Sequence, residues 1–506
     1  MIRLGWAALT AAPRSAKTRA TGRQSDARVQ VACRRGAKGG TVTSQARAEV
    51  YSTEPTGANY GLHVGVLGPL ETLAQSVSAM APSTSPSLTI PLVFALAGNA
   101  NWFVYLLATG ATLLVGYCVS RFAQLSASPG SLYTYAADTL PPALGVVAAW
   151  GLLLAYLATG GSVAGGALYY AGVLSQQLFH WTPPALLTLA VVCGIAGLVA
   201  YRDVKLSAEL MLWIEVVSVS LILIVLAVLV FRFGFQIDID QFKLKGVHLA
   251  ALGPALVLAM FSFVGFESAT TLGNEAREPL KTIPRAVLQC GILAGLFFML
   301  CSYSEVLGFR GEPSQLSDST SPLHLLANKA GISPLGTAID VGALVSMIAC
   351  VLACTTAAAR VLLRMAHVGL LPGFWKMTSR RHGTPSAAIA VSAGCMFAAT
   401  GVLALRGVQG SEMYDWIGSL SVFGFLTAYA LVAAALPFAR RAAGQHSYRV
   451  SAVSVVTVVV MILIVIFDLR SATDATHARI PWIYLGYIAL GLGWYFARRG
   501  KTMGRG

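Results

Sequence analysis

Three hydroxyl side chains lie between two prolines inside an apolar stretch of the sequence. The segment SVSAMAPSTSP places Ser83, Thr84 and Ser85 between Pro82 and Pro86. Because proline removes a backbone N–H and clashes with the carbonyl one turn earlier, a helix here is predicted to unwind by at least one turn. An unwound turn frees N–H groups that bind a carboxylate and C=O groups that bind an ammonium. The alternative is a simple proline kink whose hydroxyls bond to the preceding turn.

A second apolar stretch carries a similar interruption. The segment FSFVGFESATT, residues 261–271, contains Gly265, which gives the backbone freedom, and Glu267, an acid in apolar surroundings. A zwitterionic ligand needs partners for both poles in one small cavity, so we predict that the two interruptions together bind an α-amino acid or a related amine. The predicted substrate-binding residues are Met80, Ala81, Ser83, Thr84, Ser85, Phe261, Ser262, Phe263, Gly265 and Phe266.

Carboxylates inside apolar segments are candidate functional residues, because a charge at the centre of a bilayer is costly. Glu215 lies in the run LMLWIEVVS, and Glu267 follows the second interruption by two residues. For Glu215 the alternative to a functional role is a structural carboxyl, and Glu267 could bind an amine, relay a proton or brace its helix. Glu71 is expected to be a charge in the first turn of its helix. Glu305 and Asp340, close to the outer ends of apolar runs, are expected to be solvated.

Long apolar runs must position these residues. Of 506 residues, 56% are hydrophobic and 11% charged, with a mean hydropathy of +0.68, whereas soluble domains carry roughly 25% charge. A helix that crosses a bilayer needs about 20 apolar residues, and this composition excludes an ordinary soluble enzyme. The predicted spans, numbered 1 to 12, are 69–97, 101–123, 143–173, 184–201, 208–231, 250–272, 284–308, 335–363, 385–405, 413–437, 450–467 and 481–497. The two interruptions fall in spans 1 and 6, which occupy equivalent places in two five-span halves, as in inverted-repeat transporters.

The net charge of +15 is distributed unevenly along the chain. Residues 1–62 form a basic segment without an apolar period, which we interpret as a disordered tail or as the product of a misplaced start codon. With both termini in the cytoplasm, cytoplasmic segments hold 28 of the 36 basic residues, as the positive-inside rule requires. We therefore predict a transport core at 63–437, and helices 11 and 12 with a basic cytoplasmic C-terminus at 438–506. The positive charge needs no nucleic acid to explain it.

Motifs known for ATP hydrolysis, ester hydrolysis and zinc proteases are missing from the sequence. It contains no Walker A loop, no G-x-S-x-G elbow and no H-E-x-x-H pair. His63, His180, His248 and His324 lack the spacing of a metal-ligand set. We predict that the protein is not an enzyme and that it has no cofactor and no metal site.

Several segments together resemble the amino acid–polyamine–organocation (APC) transporter superfamily. They are FSFVGFESATTLGNEAREPLKTIPRAV at 261–287, SASPGSLYTY at 126–135, GLLP at 369–372 and GSLSVFGFLTAY at 418–429. The resemblance covers about residues 66–497. It implies an all-α integral membrane protein with twelve transmembrane helices. It also implies a 5+5 inverted-repeat (LeuT-like) core with discontinuous helices 1 and 6, followed by two C-terminal helices.

The resemblance also bears on particular residues. In some relatives span 5 carries a lysine that responds to protons near the place of Glu215, which makes Glu215 the leading candidate for proton coupling, together with Glu267. The G-S-G of span 1 in the superfamily falls on Pro82-Ser83-Thr84, where both glycines are replaced. His367-Val368 stands where relatives commonly carry Arg-Asp, so this chain lacks a possible cytoplasmic charge pair.

The function predicted from these observations is secondary active transport of amino acids or related amines across the plasma membrane. The expected partners are the substrate, a proton as coupling ion and the lipid bilayer. One alternative is an exchanger of the same fold, for polyamines or for an amino acid against its decarboxylated product. Another is a membrane sensor that transports nothing, although a sensor would leave the two interrupted spans unexplained.

Overall fold

The computed structural model describes residues 60–202, 204–233, 237–312, 315–471 and 476–503, so most of the predicted basic tail lies outside the described residues. The described chain is helical, with one isolated bridge between extended positions, Leu67 and Ala276. The α-helices are α1 (Pro69–Met80), α2 (Ile90–Ala97), α3 (Asn101–Ala123), α4 (Ser131–Ala137), α5 (Pro142–Phe179), α6 (Ala185–Arg202), α7 (Val204–Phe233), α8 (Ile239–Phe242), α9 (Leu249–Phe261), α10 (Pro279–Gly308), α11 (Pro322–Lys329), α12 (Ser333–His367), α13 (Ser386–Leu405), α14 (Gly410–Ala442), α15 (Tyr448–Ser471) and α16 (Ile480–Met503).

Ten helical stretches among the described residues are long and apolar enough to cross a membrane. One of them, Pro69–Ala123, is 55 residues long and contains predicted spans 1 and 2. The helix in predicted span 6, Leu249–Phe261, is apolar but only 13 residues long. The outer faces of these helices carry large exposed apolar side chains, such as Trp213 on α7 and Val455 on α15. The protein is therefore a multi-pass membrane protein.

The first interruption separates α1 from the second half of span 1. Helix α1 ends at Met80, and Ala81 adopts a left-handed conformation with φ 48° and ψ 68°. Helical structure resumes at Thr84 and continues as a π-helical turn, Ser85–Thr89, that leads into α2. The unwound residues are thus 81–83, so the left-handed turn begins one residue before Pro82.

The second interruption follows α9, which ends at Phe261. The chain makes irregular turns as far as Glu267, and a short 3-10 helix, Ser268–Leu272, precedes α10. Gly265 has φ +92°, and a Cβ atom there would lie 2.9 Å from the Ala79 carbonyl oxygen. Only glycine fits this position without strain, because the two interrupted spans touch backbone to backbone here.

Close backbone packing also joins α5 and α14. A Cβ atom on Gly410 would lie 2.6 Å from the Gly165 carbonyl oxygen, and one on Gly424 would lie 2.5 Å from that of Gly151. Small residues at these places let the two helices approach each other closely, as in other membrane helix pairs. The interrupted spans thus pack beside a pair of long helices held in close contact.

Candidate functional site

A cavity of about 230 Å³ lies between the two interrupted spans. Five of the predicted substrate-binding residues line it: Met80, Thr84, Ser85, Phe261 and Ser262. The other lining residues are Ala79, Val264, Thr159 and Val163 of α5, Cys350 of α12 and Tyr414 of α14. The site is therefore built from both interrupted spans and from three continuous helices.

The remaining predicted binding residues lie at or behind the interruptions. Ala81, Ser83 and Gly265 are buried at the unwound turns. Phe263 packs against Phe298 of α10, with ring centroids 5.2 Å apart, and Phe266 packs against Tyr429 of α14 at 5.7 Å. These two rings support the sixth span from behind and do not line the cavity.

Hydroxyl groups at the cavity and at the adjacent unwound turn lack partners. The Oγ1 atoms of Thr84 and Thr159 and the Oγ atom of Ser83 are buried, and none of them has a hydrogen-bond partner among the residues that the structure describes. A buried polar group without a partner costs about 1–3 kcal/mol. The cavity therefore offers unsatisfied hydrogen-bonding capacity to a polar ligand.

An aromatic pair separates this cavity from a second one of about 300 Å³. Phe261 and Tyr414 line both cavities, and their ring centroids are 5.3 Å apart in an edge-to-face arrangement. The Tyr414 hydroxyl and the Thr89 Oγ1 atom are hydrogen-bonded at 2.8 Å, which fixes the ring against the second half of span 1. Phe261 was among the predicted site residues, whereas Tyr414 was not.

Sequence reasoning also missed Thr159 and Cys350 as cavity residues. Thr159 precedes Gly160 and Gly161, and this run of small residues in span 3 was a signal for close approach to a neighbouring element. The Cys350 thiol donates a hydrogen bond to the Ala79 carbonyl at 3.2 Å, so α12 holds the last turn of α1. No pattern around Cys350 in the sequence distinguishes it from the other buried thiols.

Glu215 lies behind the cavity wall. Its carboxylate is buried between α7 and α12, where the Ser346 hydroxyl lies 3.0 Å from Oε1 and 2.9 Å from Oε2. Ser346 is one helical turn from the cavity residue Cys350. The predicted coupling residue is therefore one turn of α12 away from the substrate cavity.

Glu267 points away from the cavity. Its carboxylate is fully buried and accepts hydrogen bonds from the hydroxyls of Tyr156 on α5 (2.9 Å) and Tyr429 on α14 (2.6 Å). These bonds fix the sixth span to the closely packed α5–α14 pair. The arrangement agrees with a bracing role, one of the three roles considered for Glu267, and the prediction of proton coupling remains open.

The expectation that Glu305 and Asp340 are solvated is wrong. Asp340 is buried because α11 covers it, with the Ser321 hydroxyl 2.5 Å and His324 Nδ1 2.7 Å from its carboxylate. Glu305 is buried where α10 packs on α3. The loop between spans 7 and 8 folds into a helix that covers both span ends, and hydropathy alone does not reveal such a cover. Glu71 lies in the first turn of α1, as expected.

Arg360, near the end of predicted span 8, is also buried. Its guanidinium donates two hydrogen bonds of 2.6 Å to Glu275, a residue of the segment between the second interruption and α10. A third bond runs to the Thr356 carbonyl at 3.0 Å. The same segment pairs with the chain before α1 through Leu67 and Ala276. This ion pair fixes α12 to the segments around both interruptions.

Residues suited to hold a metal do not come together in the part of the chain that the structure describes. No group of three or more His, Cys, Asp or Glu side chains is found there. Cys350 and Cys354 have sulfur atoms 4.0 Å apart, but no further ligand accompanies them.

The known proteins that this chain resembles in sequence are transporters. The sequence profile of the amino acid permease family matches residues 83–471. The branched-chain amino acid permease BcaP of Bacillus subtilis is 23% identical over 367 residues, which are 68% of this chain and 74% of that protein. The low-affinity putrescine importer PlaP of Escherichia coli is 25% identical over 273 residues, 53% of this chain and 59% of the importer.

A solved structure shows the same fold. The manganese transporter of Eremococcus coleocola superposes with a TM-score of 0.53 and 14% sequence identity. The superposition covers 84% of this chain and 92% of the manganese transporter. At this identity the likeness concerns the fold and not the substrate.

Proposed function

Because the chain belongs to the amino acid permease family, we propose that it is a secondary transporter of amino acids, and that access to the cavity alternates between the two sides of the membrane. The protein is a transporter and not an enzyme. The observation that carries the proposal is the cavity lined by both interrupted spans, beside buried hydroxyls that lack partners. The proposed architecture has twelve crossings and a 5+5 inverted repeat, with the interruptions in the first helix of each half.

The cavity favours a small neutral α-amino acid as substrate. Eleven residues line it, and none of them is charged. Thr84 and Ser85, at the start of the helical segment that follows the first unwound turn, would bind the carboxylate. The face of Phe261 or Tyr414 would contact the ammonium. Val163 and Val264 give an apolar wall for the side chain.

A diamine fits less well. PlaP, a relative, is a putrescine importer, but a diamine carries two positive charges and no carboxylate. No acidic residue lines the described cavity. Burial of a charge without a partner costs several kcal/mol. We therefore place amino acids before polyamines as substrates.

Proton coupling through Glu215 is the second part of the proposal. The carboxylate is bonded by a neutral hydroxyl, so a proton can be added without leaving a cation unpaired. Protonation would change the hydrogen bond between Glu215 of α7 and Ser346 of α12. Helix α12 also carries the cavity residue Cys350. Glu267, held by two tyrosines, is a further candidate for coupling.

The place of the protein in the cell is also part of the proposal. We place it in the plasma membrane with both termini in the cytoplasm, on the basis of the distribution of basic residues. Residues 63–437 would form the transport core and 438–506 the two added helices and the C-terminus. The Phe261–Tyr414 pair would act as a thin gate on one side of the cavity.

A thermal-shift screen tests the function. The purified protein in detergent is heated with each amino acid, and with amines and nucleobases for comparison. We expect a small neutral amino acid to raise the melting temperature, because it satisfies the open hydroxyls. The compound that does so is then supplied to proteoliposomes with and without the same compound inside.

The liposome result separates the alternatives. Uptake into empty liposomes driven by a pH gradient supports proton symport, whereas strict dependence on internal substrate identifies an exchanger. If none of the compounds shifts the melting temperature and none shows counterflow, the transporter proposal is wrong and a membrane sensor is favoured.

A further inference from the structure

Glu305, near the end of α10, is exceptional among the buried carboxylates of the described chain. Its side chain is 0% exposed, and neither carboxylate oxygen has a hydrogen-bond partner among the residues that the structure describes. Glu215, Glu267, Glu275 and Asp340 are equally buried, but each accepts at least one hydrogen bond. Glu305 thus lacks the donors that stabilise an ionised carboxylate elsewhere in this protein.

An ionised carboxylate in this position would be costly. The effective penalty for burying an ion in a protein is several kcal/mol, and it is offset only by well-placed partners. A neutral carboxyl avoids most of this cost. Glu305 therefore needs either a proton or a partner that arrives in another conformation.

Tyr105 of α3 can be that partner. Helices α3 and α10 run antiparallel, because Thr109 lies against Gly295 and the Tyr105 ring lies 5.9 Å from Phe298. Glu305 is two turns beyond Phe298 on the same face of α10. Since helical side chains lean towards the N-terminus of their own helix, the side chains of Tyr105 and Glu305 lean towards each other.

The Tyr105 hydroxyl also reaches the substrate cavity. It is hydrogen-bonded to the Ser262 Oγ atom at 3.1 Å, and Ser262 lines the cavity at the second interruption. The residue that leans towards Glu305 is therefore hydrogen-bonded to a residue that lines the cavity.

We propose that Glu305 is a second proton-binding site of this transporter, separate from Glu215, and that the Tyr105 hydroxyl links it to the cavity. With Glu305 protonated, Tyr105 bonds to Ser262, as in the present structure. When Glu305 loses its proton to water, the Tyr105 hydroxyl turns to donate to the carboxylate and leaves Ser262. The coupling to transport rests on the function proposed above, whereas proton binding itself does not.

No charged or titratable group among the described residues is hydrogen-bonded to the Glu305 carboxylate. Tyr105 leans towards it from α3, and the Cys301 thiol lies one turn away on α10 itself. The cation that α11 brings to this end of α10 is Lys329, which pairs with Glu312 at 2.8 Å. Arg232 of α7 lies against Gly331, and the π-helical turn 85–89 has no titratable side chain.

Infrared difference spectroscopy tests proton binding without any substrate. Spectra of the purified protein are recorded as the pH rises from about 6 to about 9, a range in which exposed carboxyls are already ionised. We expect the loss of a protonated-carboxyl band that belongs to Glu305, both in the wild type and in the control Glu209→Gln, whose side chain is 49% exposed. Glu305→Gln should lack this band from the start, while Glu215→Gln should keep it.

Tyr105→Phe is the second variant, and it leaves Glu305 in place. Without the hydroxyl the ionised form loses its donor, so the transition should move to higher pH by about one unit. A band that is unchanged in Glu305→Gln would overturn the proposal, as would a Glu305 band that does not titrate. An unchanged transition in Tyr105→Phe would overturn the link to the cavity.

Transport gives a separate readout. With the substrate found by thermal shift, Glu305→Gln should retain counterflow but lose the pH dependence of uptake in this range. Unchanged pH dependence in this variant would overturn a role in coupling. If no substrate is found, the proposed function fails while the infrared result still decides whether Glu305 binds a proton.

Discussion

The buried carboxylates of this protein differ in the groups that hold them. Glu275 faces the guanidinium of Arg360, so adding a proton would leave a buried cation without its partner, which costs about 3–5 kcal/mol. Glu215 faces the hydroxyl of Ser346, so a proton can come and go without that penalty. Glu275 is thus suited to a permanent ion pair, and Glu215 to a group that changes its charge during transport.

Glu215→Gln tests this difference. Glutamine keeps the size and the hydrogen bond with Ser346 but cannot release a proton. We expect accumulation driven by a pH gradient to be abolished, while counterflow and the thermal shift by substrate persist. Uptake measured from about pH 5 to about pH 8 checks this.

Glu209→Gln is the matched control, because Glu209 lies on the same helix and its side chain is half exposed beside Lys205. The control should accumulate substrate like the wild type. Unchanged accumulation in Glu215→Gln would remove that residue from the coupling mechanism.

At the scale of elements, the two interruptions depend on each other. Gly265 meets Ala79 where the backbone of span 6 touches that of span 1. The Cys350 thiol of α12 donates a hydrogen bond to the carbonyl oxygen of the same residue, Ala79. A change in the conformation of either unwound turn therefore reaches the other turn and α12 through a single residue.

Gly265→Ala should disturb both interruptions. The new Cβ atom would lie 2.9 Å from the Ala79 carbonyl oxygen, and alanine is strained at φ +92°, by about 1–3 kcal/mol. We expect a lower melting temperature and a smaller thermal shift by the substrate, both measured in detergent.

Gly110→Ala is the control for this substitution. Gly110 lies on the exposed face of α3, and a Cβ atom there meets nothing within 4 Å. Alanine stabilises a helix relative to glycine by up to about 1 kcal/mol, so this variant should be at least as stable as the wild type. If Gly265→Ala and Gly110→Ala had the same melting temperature and the same thermal shift by substrate, the close contact between Gly265 and Ala79 would not explain the choice of glycine at position 265.

At the scale of the whole molecule, the sequence predicts what depends on local composition. Predicted span 5, residues 208–231, corresponds to the apolar helix Ser207–Arg232, because apolar length is a local property. The proline pair and Gly265 likewise indicate both interruptions. The burial of Glu305, Asp340 and Arg360 depends on which helices pack around them, and such contacts between distant segments leave no local pattern.

The proposed orientation of the whole molecule can be tested by labelling. Single cysteines at Lys243 and Gln445, both exposed, are introduced into a background without Cys33 and Cys395. A thiol reagent that cannot cross membranes should label position 243 on intact cells and position 445 only after permeabilisation, because the basic segments stay in the cytoplasm. The opposite labelling would invert the proposed topology.

In the proposed transport cycle, the open hydroxyls of Ser83, Thr84 and Thr159 would affect the rate of the return step. At about 1–3 kcal/mol each, they make closure of the unloaded protein less favourable than closure around a substrate. The unloaded protein must nevertheless close in order to return to the side where it binds the next substrate. If access alternates as proposed, the return step should be slower without bound substrate than with it, so we expect exchange of substrate across the membrane to be faster than net uptake.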